Sequence, residues 1–303
     1  MKIFVTGVCG QLGFDVVHEA KKRGYEVIGS DILKESPVEE ISYKALDITD
    51  EDAVHRMIMD IRPDVIVHCA AWTAVDAAEA PENREKVRKI NVDGTRYLAE
   101  AAKAVDAKMV YISTDYVFDG SGTRPWEPED REFAPLNYYG ESKLGGELAV
   151  SGLLKKYFIV RIAWVFGKNG KNFVRTMLRV GKNRDFVTVV DDQIGTPTYT
   201  YDLARLLVDM IETEKYGVYH ATNSEADGRY ISWAEYTEWI YQTAGYKTEV
   251  RHVSTEEYGL SVAKRPYNSR LGKKKLVEMG FEPLPDWKDA VSRYISELDM
   301  EEL

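Results

Sequence analysis

The chain is poor in several features that mark particular classes of protein. It has only two cysteines, Cys9 and Cys69, among 303 residues, so a disulfide framework and a cysteine-rich zinc site are both excluded. No run approaches the roughly 18 apolar residues of a membrane helix, and the opening MKIFVTG is too short for a signal peptide. We therefore expect a cytoplasmic protein that does not associate with membranes.

Histidine and basic charge are also scarce. The five histidines show neither H-x-x-H nor H-E-x-x-H spacing, so the sequence predicts no metal site. Forty Lys and Arg residues face 50 Asp and Glu residues, and the net charge of −10 disfavours broad binding to nucleic acid. The 44% of hydrophobic residues is ordinary for a soluble globular protein and argues against intrinsic disorder.

Short β-branched runs alternate with longer helical patterns in the first half of the chain. The predicted strands cover residues 2–6, 25–31, 43–47, 64–70, 108–114 and 157–163. Helical periodicity covers residues 11–23, 51–61, 81–104 and 138–155. Strands that alternate with helices of this length predict βαβ units, and hence a Rossmann-type, doubly wound parallel sheet in an α/β fold.

The second half is less regular. Strand-like runs at 185–190, 217–222 and 248–253 are mixed with helical segments and proline-rich joints. We predict an NAD(P)-binding Rossmann domain over residues 1–164, joined by about 198–222. The remaining segments, 165–197 and 223–303, are predicted to form a smaller C-terminal α/β lobe that binds the substrate across a cleft.

A glycine-rich turn links the first strand to the first helix. Gly7, Gly10 and Gly13 allow a sharp turn, a close approach of the backbone to a pyrophosphate, and tight packing of helix on sheet. The helix N-terminus then offers unpaired N–H groups to that anion. Asp31 ends the second strand, where a carboxylate can accept from ribose hydroxyls. The alternative is a plain strand–helix turn, but this combination favours a dinucleotide site.

One tyrosine is followed by a lysine four residues later. Tyr139 and Lys143 would share a helix face, about 6 Å apart along the axis, with Asn137 as the N-cap. Reduction of a carbonyl needs a proton donor, and a nearby ammonium would lower the high pKa of a phenol. Thr114 ends the fifth strand and could donate to the same carbonyl oxygen. An exposed i,i+4 pair is the simpler alternative for the motif alone.

Together, TGVCGQLG (6–13), the STD strand end (113–115) and YYGESK (138–143) resemble the extended short-chain dehydrogenase/reductase superfamily. Further segments narrow the resemblance to the dTDP-4-dehydrorhamnose reductase family, chiefly HCAAWTAVDAAE (68–79), DQIGTPTYTYDLA (192–204) and RPYNSRLGKKKL (265–276). The resemblance spans most of the chain. It implies reduction of the C4 ketone of dTDP-4-dehydro-β-L-rhamnose to dTDP-L-rhamnose, with NADPH or NADH.

The resemblance also implies roles for individual residues. It makes Thr114, Tyr139 and Lys143 the catalytic set, with Tyr139 as general acid and Lys143 also holding the nicotinamide ribose. It places further residues beside the cofactor: Gln11 and Leu12 at the pyrophosphate, Asp47 and Ile48 at the adenine, and Ala70, Ala71 and Trp72 after the fourth strand.

On the substrate side, the resemblance implies that Asp115 and Trp164 contact the sugar. Core filling is the alternative for Trp164, because it ends an apolar strand. Arg265 is a candidate for the substrate diphosphate, since a guanidinium fork matches phosphate oxygens. An ordinary surface ion pair is the alternative for Arg265.

Two other functions remain open from the sequence. One is a reductase that makes a different 6-deoxyhexose. The other is a non-catalytic, NADP-binding regulatory subunit similar to the methionine adenosyltransferase β subunit, which shares the HCAA, DYVFDG and RPxN segments. DQIGTPTY and WTAVDAAE favour the reductase. The sequence leaves the oligomeric state open, with a homodimer as one option.

Overall fold

A computed structural model describes residues 1–36, 38 and 41–299 of the chain. Its strands, in chain order, are β1 (Lys2–Thr6), β2 (Glu26–Asp31), β3 (Ser42–Ala45), β4 (Val65–His68), β5 (Lys108–Thr114), β6 (Tyr157–Ile162), β7 (Val165–Phe166), β8 (Phe186–Val190), β9 (Ile194–Gly195), β10 (Thr198–Tyr199), β11 (Gly217–His220), β12 (Ile231–Ser232) and β13 (Glu249–Val253).

The α-helices of the described residues are α1 (Gln11–Lys22), α2 (Glu51–Ile61), α3 (Val75–Ala78), α4 (Pro81–Arg88), α5 (Gly94–Ala104), α6 (Tyr138–Leu153), α7 (Phe173–Gly181), α8 (Thr200–Ile211), α9 (Trp233–Ala244), α10 (Thr255–Tyr258), α11 (Lys274–Glu278) and α12 (Trp287–Ser296). None of them is long and apolar enough to span a membrane.

Seven strands form one parallel sheet in the order β11-β6-β5-β4-β1-β2-β3. The order reverses between β1 and β4, which creates the crevice where ligands bind in doubly wound sheets. Helices cover both faces, so alternate residues of one strand enter different cores. Ile3 and Val5 pack in the core that includes α1 and α8, whereas Phe4 packs in the core that includes α2 and α5. The predicted Rossmann-type fold is confirmed.

The predicted helix over 81–104 contains an irregularity. α4 and α5 are joined by a π-helical turn over Lys89–Asp93, so the chain stays helical but gains a local bulge. Such bulges often occur at functional sites. Hydrophobic periodicity does not reveal this turn, because α4 before it contains a single buried residue, Val87, and so offers no apolar spacing to compare.

Short strand pairs and aromatic side chains build the C-terminal lobe. β13 pairs with β8 in parallel, and β12 pairs with β9 antiparallel. A core rich in rings lies among α7, α9 and α12; it includes Phe166, Tyr199, Tyr236, Trp287 and Tyr294. β11, from the second half of the chain, completes the large sheet beside β6. The predicted division into two domains stays a prediction, and residues 300–303 of its last segment lie outside the described residues.

Candidate active site

The carboxyl ends of the central strands open onto a cleft of about 1050 Å³ that extends to the C-terminal lobe. The cleft brings together most residues that the sequence singled out. Those that line it are Gly7, Gly10, Gln11, Leu12, Gly13, Asp31, Asp47, Ile48, Ala70, Ala71, Thr114, Asp115, Tyr139, Lys143 and Trp164. Parallel strands all end at the same edge of a sheet, so residues far apart in sequence meet there.

The glycine-rich turn leaves no room for side chains. Gly7 has φ +71°, and a Cβ there would lie 2.6 Å from the backbone nitrogen of Ala70. A Cβ on Gly13 would lie 2.2 Å from the carbonyl oxygen of Gly7. Gly10 is the N-cap residue of α1 and has no side chain to cap the helix, so the first N–H groups of the helix remain available to an anion. This cradle fits a pyrophosphate.

Asp31 lies at the end of β2, beside this turn. Its two carboxylate oxygens accept hydrogen bonds from the backbone N–H groups of Cys9, at 3.0 Å, and Ile32, at 2.8 Å. The carboxylate therefore has a fixed position at the edge of the cleft. Burial and the nearby Asp31 raise the pKa of the Cys9 thiol to about 11, so this cysteine is an inert filler of the turn.

Tyr139 and Lys143 occupy successive turns of α6 on the side that faces the cleft. Asn137 caps the helix, as predicted, by accepting from the N–H of Gly140 at 2.9 Å. Burial, together with the neighbouring Asp115 and Tyr116, raises the pKa of Tyr139 above its usual 10.0, although a hydrogen bond with Thr114 opposes the rise. The predicted lowering of this pKa by Lys143 is wrong in this structure: the pKa is raised, chiefly by burial, and Lys143 is not among the groups that shift it.

Lys143 is 4% exposed, and its Nζ lies 4.1 Å from the centre of the Tyr111 ring. The Tyr111 hydroxyl donates to the backbone carbonyl of Lys143 at 3.2 Å. Burial lowers the pKa of Lys143 from 10.5 to about 7, while Glu147, one helical turn further on, opposes the fall. Glu147 in turn forms a buried, bidentate ion pair with Arg161 on β6. The cleft thus contains a lysine whose charge is only marginally stable.

Thr114 ends β5, and Asp115 follows it; both line the cleft. The Thr114 hydroxyl donates to one Asp115 carboxylate oxygen at 3.0 Å. The other oxygen, Oδ2, is buried without a hydrogen-bond partner among the described residues, as are the hydroxyls of Ser30 and Ser113, which also line the cleft. Burial raises the pKa of Asp115 to about 6. These unsatisfied groups are where polar groups of a ligand would bind.

Two predicted residues do not line the cleft. Trp72 turns its indole N–H to the carbonyl of Ala74, at 3.0 Å, although its backbone follows the cleft-lining Ala71. Arg265 donates to Asp76 at 2.7 Å, which is the ion pair that the sequence left open as its alternative role. Asp76 also accepts from the N–H of Ala263 at 3.0 Å, so it fixes this segment to α3.

Sequence reasoning missed an asparagine at the π-helical turn. Asn91 is 1% exposed, accepts from the Trp72 N–H at 2.8 Å, and donates to the Trp72 carbonyl at 3.1 Å. Its amide also donates to the Ser142 hydroxyl on α6 at 2.9 Å. One side chain therefore joins the loop after β4 to the helix that carries Tyr139. No local signal in the sequence marks it.

The segment after β7 was also missed. Asn169, Gly170 and Lys171 line the cleft from the side of the C-terminal lobe. Asn169 donates to the carbonyl of Cys9 at 2.9 Å, and Asn172 donates to the side-chain oxygen of Gln11 at 3.1 Å. The glycine- and asparagine-rich run VFGKNGKN (165–172) was the sequence signal that could have indicated this segment. Trp233 also lines the cleft, and no sequence signal marks it.

Among the described residues, one group of three side chains could offer ligand atoms to a metal. The ligand atoms of Glu51, His55 and Glu100 lie within 4.8 Å of one another, on α2 and α5. These residues do not line the cleft. The candidate chemistry of the cleft therefore rests on a dinucleotide cradle, a phenol and an ammonium.

Comparisons with known proteins agree with this geometry. A family model described as the RmlD substrate binding domain matches residues 1–300. A dTDP-4-dehydrorhamnose reductase of Aggregatibacter actinomycetemcomitans is 37% identical, covering 96% of this chain and 97% of its own. A dTDP-4-keto-6-deoxy-D-glucose reductase of Streptomyces niveus is 36% identical, covering 98% of both chains. The crystal structure of a Bacillus anthracis dTDP-4-dehydrorhamnose reductase in complex with NADP has a TM-score of 0.89 at 40% identity, covering 98% of this chain and 99% of its own.

Proposed function

Because the chain belongs to the RmlD substrate binding domain family, we propose that it reduces the C4 ketone of dTDP-4-dehydro-β-L-rhamnose to give dTDP-L-rhamnose. The observation that carries the proposal is that one cleft contains both parts of the required site. The glycine-rich turn suited to a pyrophosphate lies in the same cleft as the buried phenol of Tyr139 and the ammonium of Lys143, which are one helical turn apart. The names of relatives 36–37% identical support the same chemistry.

The chain's own contribution to the reaction is the transfer of a proton. NADPH or NADH, when bound, supplies the hydride. Tyr139 donates its phenol proton to the oxygen of the ketone, and its raised pKa keeps that proton in place at neutral pH. Thr114 donates to the same oxygen and orients it, for which its hydroxyl must turn away from its present acceptor, Asp115. Lys143 contributes positive charge that stabilises the phenolate as it forms, and holds the ribose.

Other cleft residues hold and orient the cofactor. Gly7, Gly10 and Gly13 let the backbone approach the pyrophosphate, which the N–H groups of Gln11 and Leu12 bind at the start of α1. Asp31 accepts from the adenosine ribose, since a carboxylate at the end of the second strand suits free hydroxyls. Asp47 and Ile48 lie beside the adenine. Ala70, Ala71 and the backbone of Trp72 line the cofactor after the fourth strand.

Three residues serve the substrate in this proposal. The unpartnered oxygen of Asp115 accepts from a sugar hydroxyl, and the indole of Trp164 packs on the deoxysugar. Arg265 binds the diphosphate, for which it must exchange its present partner, Asp76. We also propose that residues 1–164 with 198–222 bind the cofactor, that 165–197 with 223–303 bind the substrate, and that the enzyme acts in the cytoplasm.

A second candidate is the reduction of another nucleotide-bound 4-keto-6-deoxyhexose. It is favoured by a relative of 36% identity that is named for dTDP-4-keto-6-deoxy-D-glucose. The purified chain should be assayed with NADPH and with the dehydratase and epimerase that make the 4-keto sugar, and the product identified by NMR. We expect dTDP-L-rhamnose. A different 6-deoxyhexose as the product would favour the second candidate, and no oxidation of NADPH would contradict both.

A further inference from the structure

Trp164 adopts a backbone conformation that a bulky side chain rarely takes. Its φ is +51°, in the left-handed region, and the other described non-glycine residues with positive φ are an arginine and two aspartates. Such strain persists only where the surrounding structure holds it, and it concentrates at functional sites. The conformation places the indole in the wall of the cleft. Some neighbour must therefore hold it there.

The contacts of the indole identify that neighbour as Trp233. The two rings stack with centroids 3.9 Å apart and planes within 21°. A Cβ on Gly195 would lie 3.2 Å from Cε2 of Trp164, so the backbone of β9 supports the indole at close range. The indole of Trp164 is thus held between the stacked ring of Trp233 and the backbone of Gly195.

Trp233 is itself firmly fixed. It is the first residue of α9, directly after Ser232, which caps the helix in a reciprocal capping box with Glu235. Ser232 pairs with Ile194 in the short β12–β9 ladder, and its hydroxyl donates to Asp191. Phe173 packs on the Trp233 ring with centroids 4.5 Å apart. A rigid helix start on the C-terminal lobe therefore sets the position of a ring in the cleft.

We propose that Trp233 is a positioning residue for the sugar nucleotide, which acts by holding the indole of Trp164 in place in the wall of the cleft. The inference rests on the proposed function, because it takes the ligand at Trp164 to be the sugar. Aromatic rings bind with large contact area and little entropy loss when they are already rigid. Trp233 therefore sets substrate affinity, while proton transfer and cofactor binding, which use other residues, do not depend on it.

The test is a double-mutant cycle in steady-state kinetics. Trp233→Ala should raise the KM for the sugar nucleotide about 10-fold, with kcat changed less than about 3-fold, because misplacing a binding group costs affinity. The dissociation constant for NADPH should be unchanged. Trp164→Ala should have a similar effect, and the double variant should be no worse than Trp164→Ala alone.

A matched control lies on the same helix. Trp239 belongs to α9, packs edge-on against Trp287 at 6.1 Å, and does not line the cleft. Trp239→Ala should leave the KM unchanged even where it lowers stability. The far-ultraviolet exciton signal of the stacked indoles should disappear in Trp233→Ala and persist in Trp239→Ala. Trp233→Phe, which keeps a smaller ring in the stack, should give an intermediate KM.

Each outcome decides the proposal. An unchanged KM in Trp233→Ala, an equal rise in Trp239→Ala, or additive effects in the double variant would each overturn it, the last by showing that Trp233 binds the sugar directly. If Trp233→Ala does not fold, Trp233→Phe compared with Trp239→Phe carries the same test. A wild-type chain that turns over no 4-keto sugar nucleotide would instead contradict the proposed function, and this inference with it.

Discussion

Replacing Lys143 by methionine should stabilise the protein. Burial lowers the pKa of this lysine from 10.5 to about 7. At 1.36 kcal/mol for each pKa unit, keeping the charged form in the folded protein costs about 5 kcal/mol below pH 7, and about 4 kcal/mol at pH 7. Methionine avoids this cost but loses the contact with the Tyr111 ring, worth about 1–2 kcal/mol. We expect a net gain of about 2–3 kcal/mol at pH 7.

The pH dependence of the gain is a second signature. Between pH 7 and 10.5 the unfolded lysine binds a proton that the folded one has lost, so the stability of the wild type rises with pH in this window. The methionine variant has no such titration. The difference between the two proteins should therefore be largest below pH 7 and should fade towards pH 10.5.

Urea unfolding of both proteins over this pH range measures the effect, with NADPH binding measured in parallel. The variant should bind NADPH more weakly while it unfolds at higher urea. Lys274→Met, at an exposed lysine paired with Glu278, is the control and should leave the unfolding free energy essentially unchanged. A Lys143→Met protein less stable than the wild type at pH 7 would refute the reasoning, because substitutions that merely remove a contact destabilise.

Three further predictions concern catalysis, the cofactor and the C-terminal lobe. Tyr139→Phe should lower turnover by about 10²–10⁴-fold with the fold intact, whereas the control Tyr138→Phe, which loses one exposed hydrogen bond, should change turnover very little. A Tyr139→Phe enzyme that keeps more than about a tenth of the wild-type turnover would exclude Tyr139 as the proton donor. NADH should be used at least comparably to NADPH, because Asp31 repels a 2′-phosphate; steady-state kinetics with a preference for NADPH above about 100-fold would contradict this. The two ring nitrogens of His252 lie 3.0 Å from a carboxylate oxygen of Asp191 and 2.9 Å from one of Glu238, and these bonds raise the pKa of His252 above 6.5. His252→Gln should therefore lower the stability to urea below pH 6.5, where the histidine is charged, and should match the wild type once the pH is well above the raised pKa.

The sequence could predict the sheet and the strand ends because both depend on local patterns. β1 and β5 have the bounds that their β-branched runs indicate, and the residues after them reach the cleft because parallel strands end at one edge. Gly7 and Gly13 were recognisable for the same reason. Gly13 packs against the carbonyl oxygen of Gly7 in the turn itself, and Gly7 packs against the backbone of Ala70, just after β4.

The remainder of the site depends on contacts between distant parts of the chain. Arg265 contacts Asp76, 189 residues away in sequence, and Trp164 stacks on Trp233, 69 residues away. The pKa of Lys143 follows from burial, which no spacing of residues reveals. Some distinctive motifs also prove structural, since Thr198 of DQIGTPTY donates its hydroxyl to the carbonyl of Ala163 at 2.6 Å.

The bonds from Asn169 and Asn172 to the glycine-rich turn have a consequence for the order of events in a catalytic cycle. They tie the segment that precedes α7 to the glycine-rich turn, at Cys9 and Gln11. A dinucleotide that immobilises the turn would also immobilise this segment, and the second ligand would then lose less entropy when it binds in the same cleft. Binding of the two ligands should thus be cooperative, and by thermodynamic linkage each should tighten the other by the same factor.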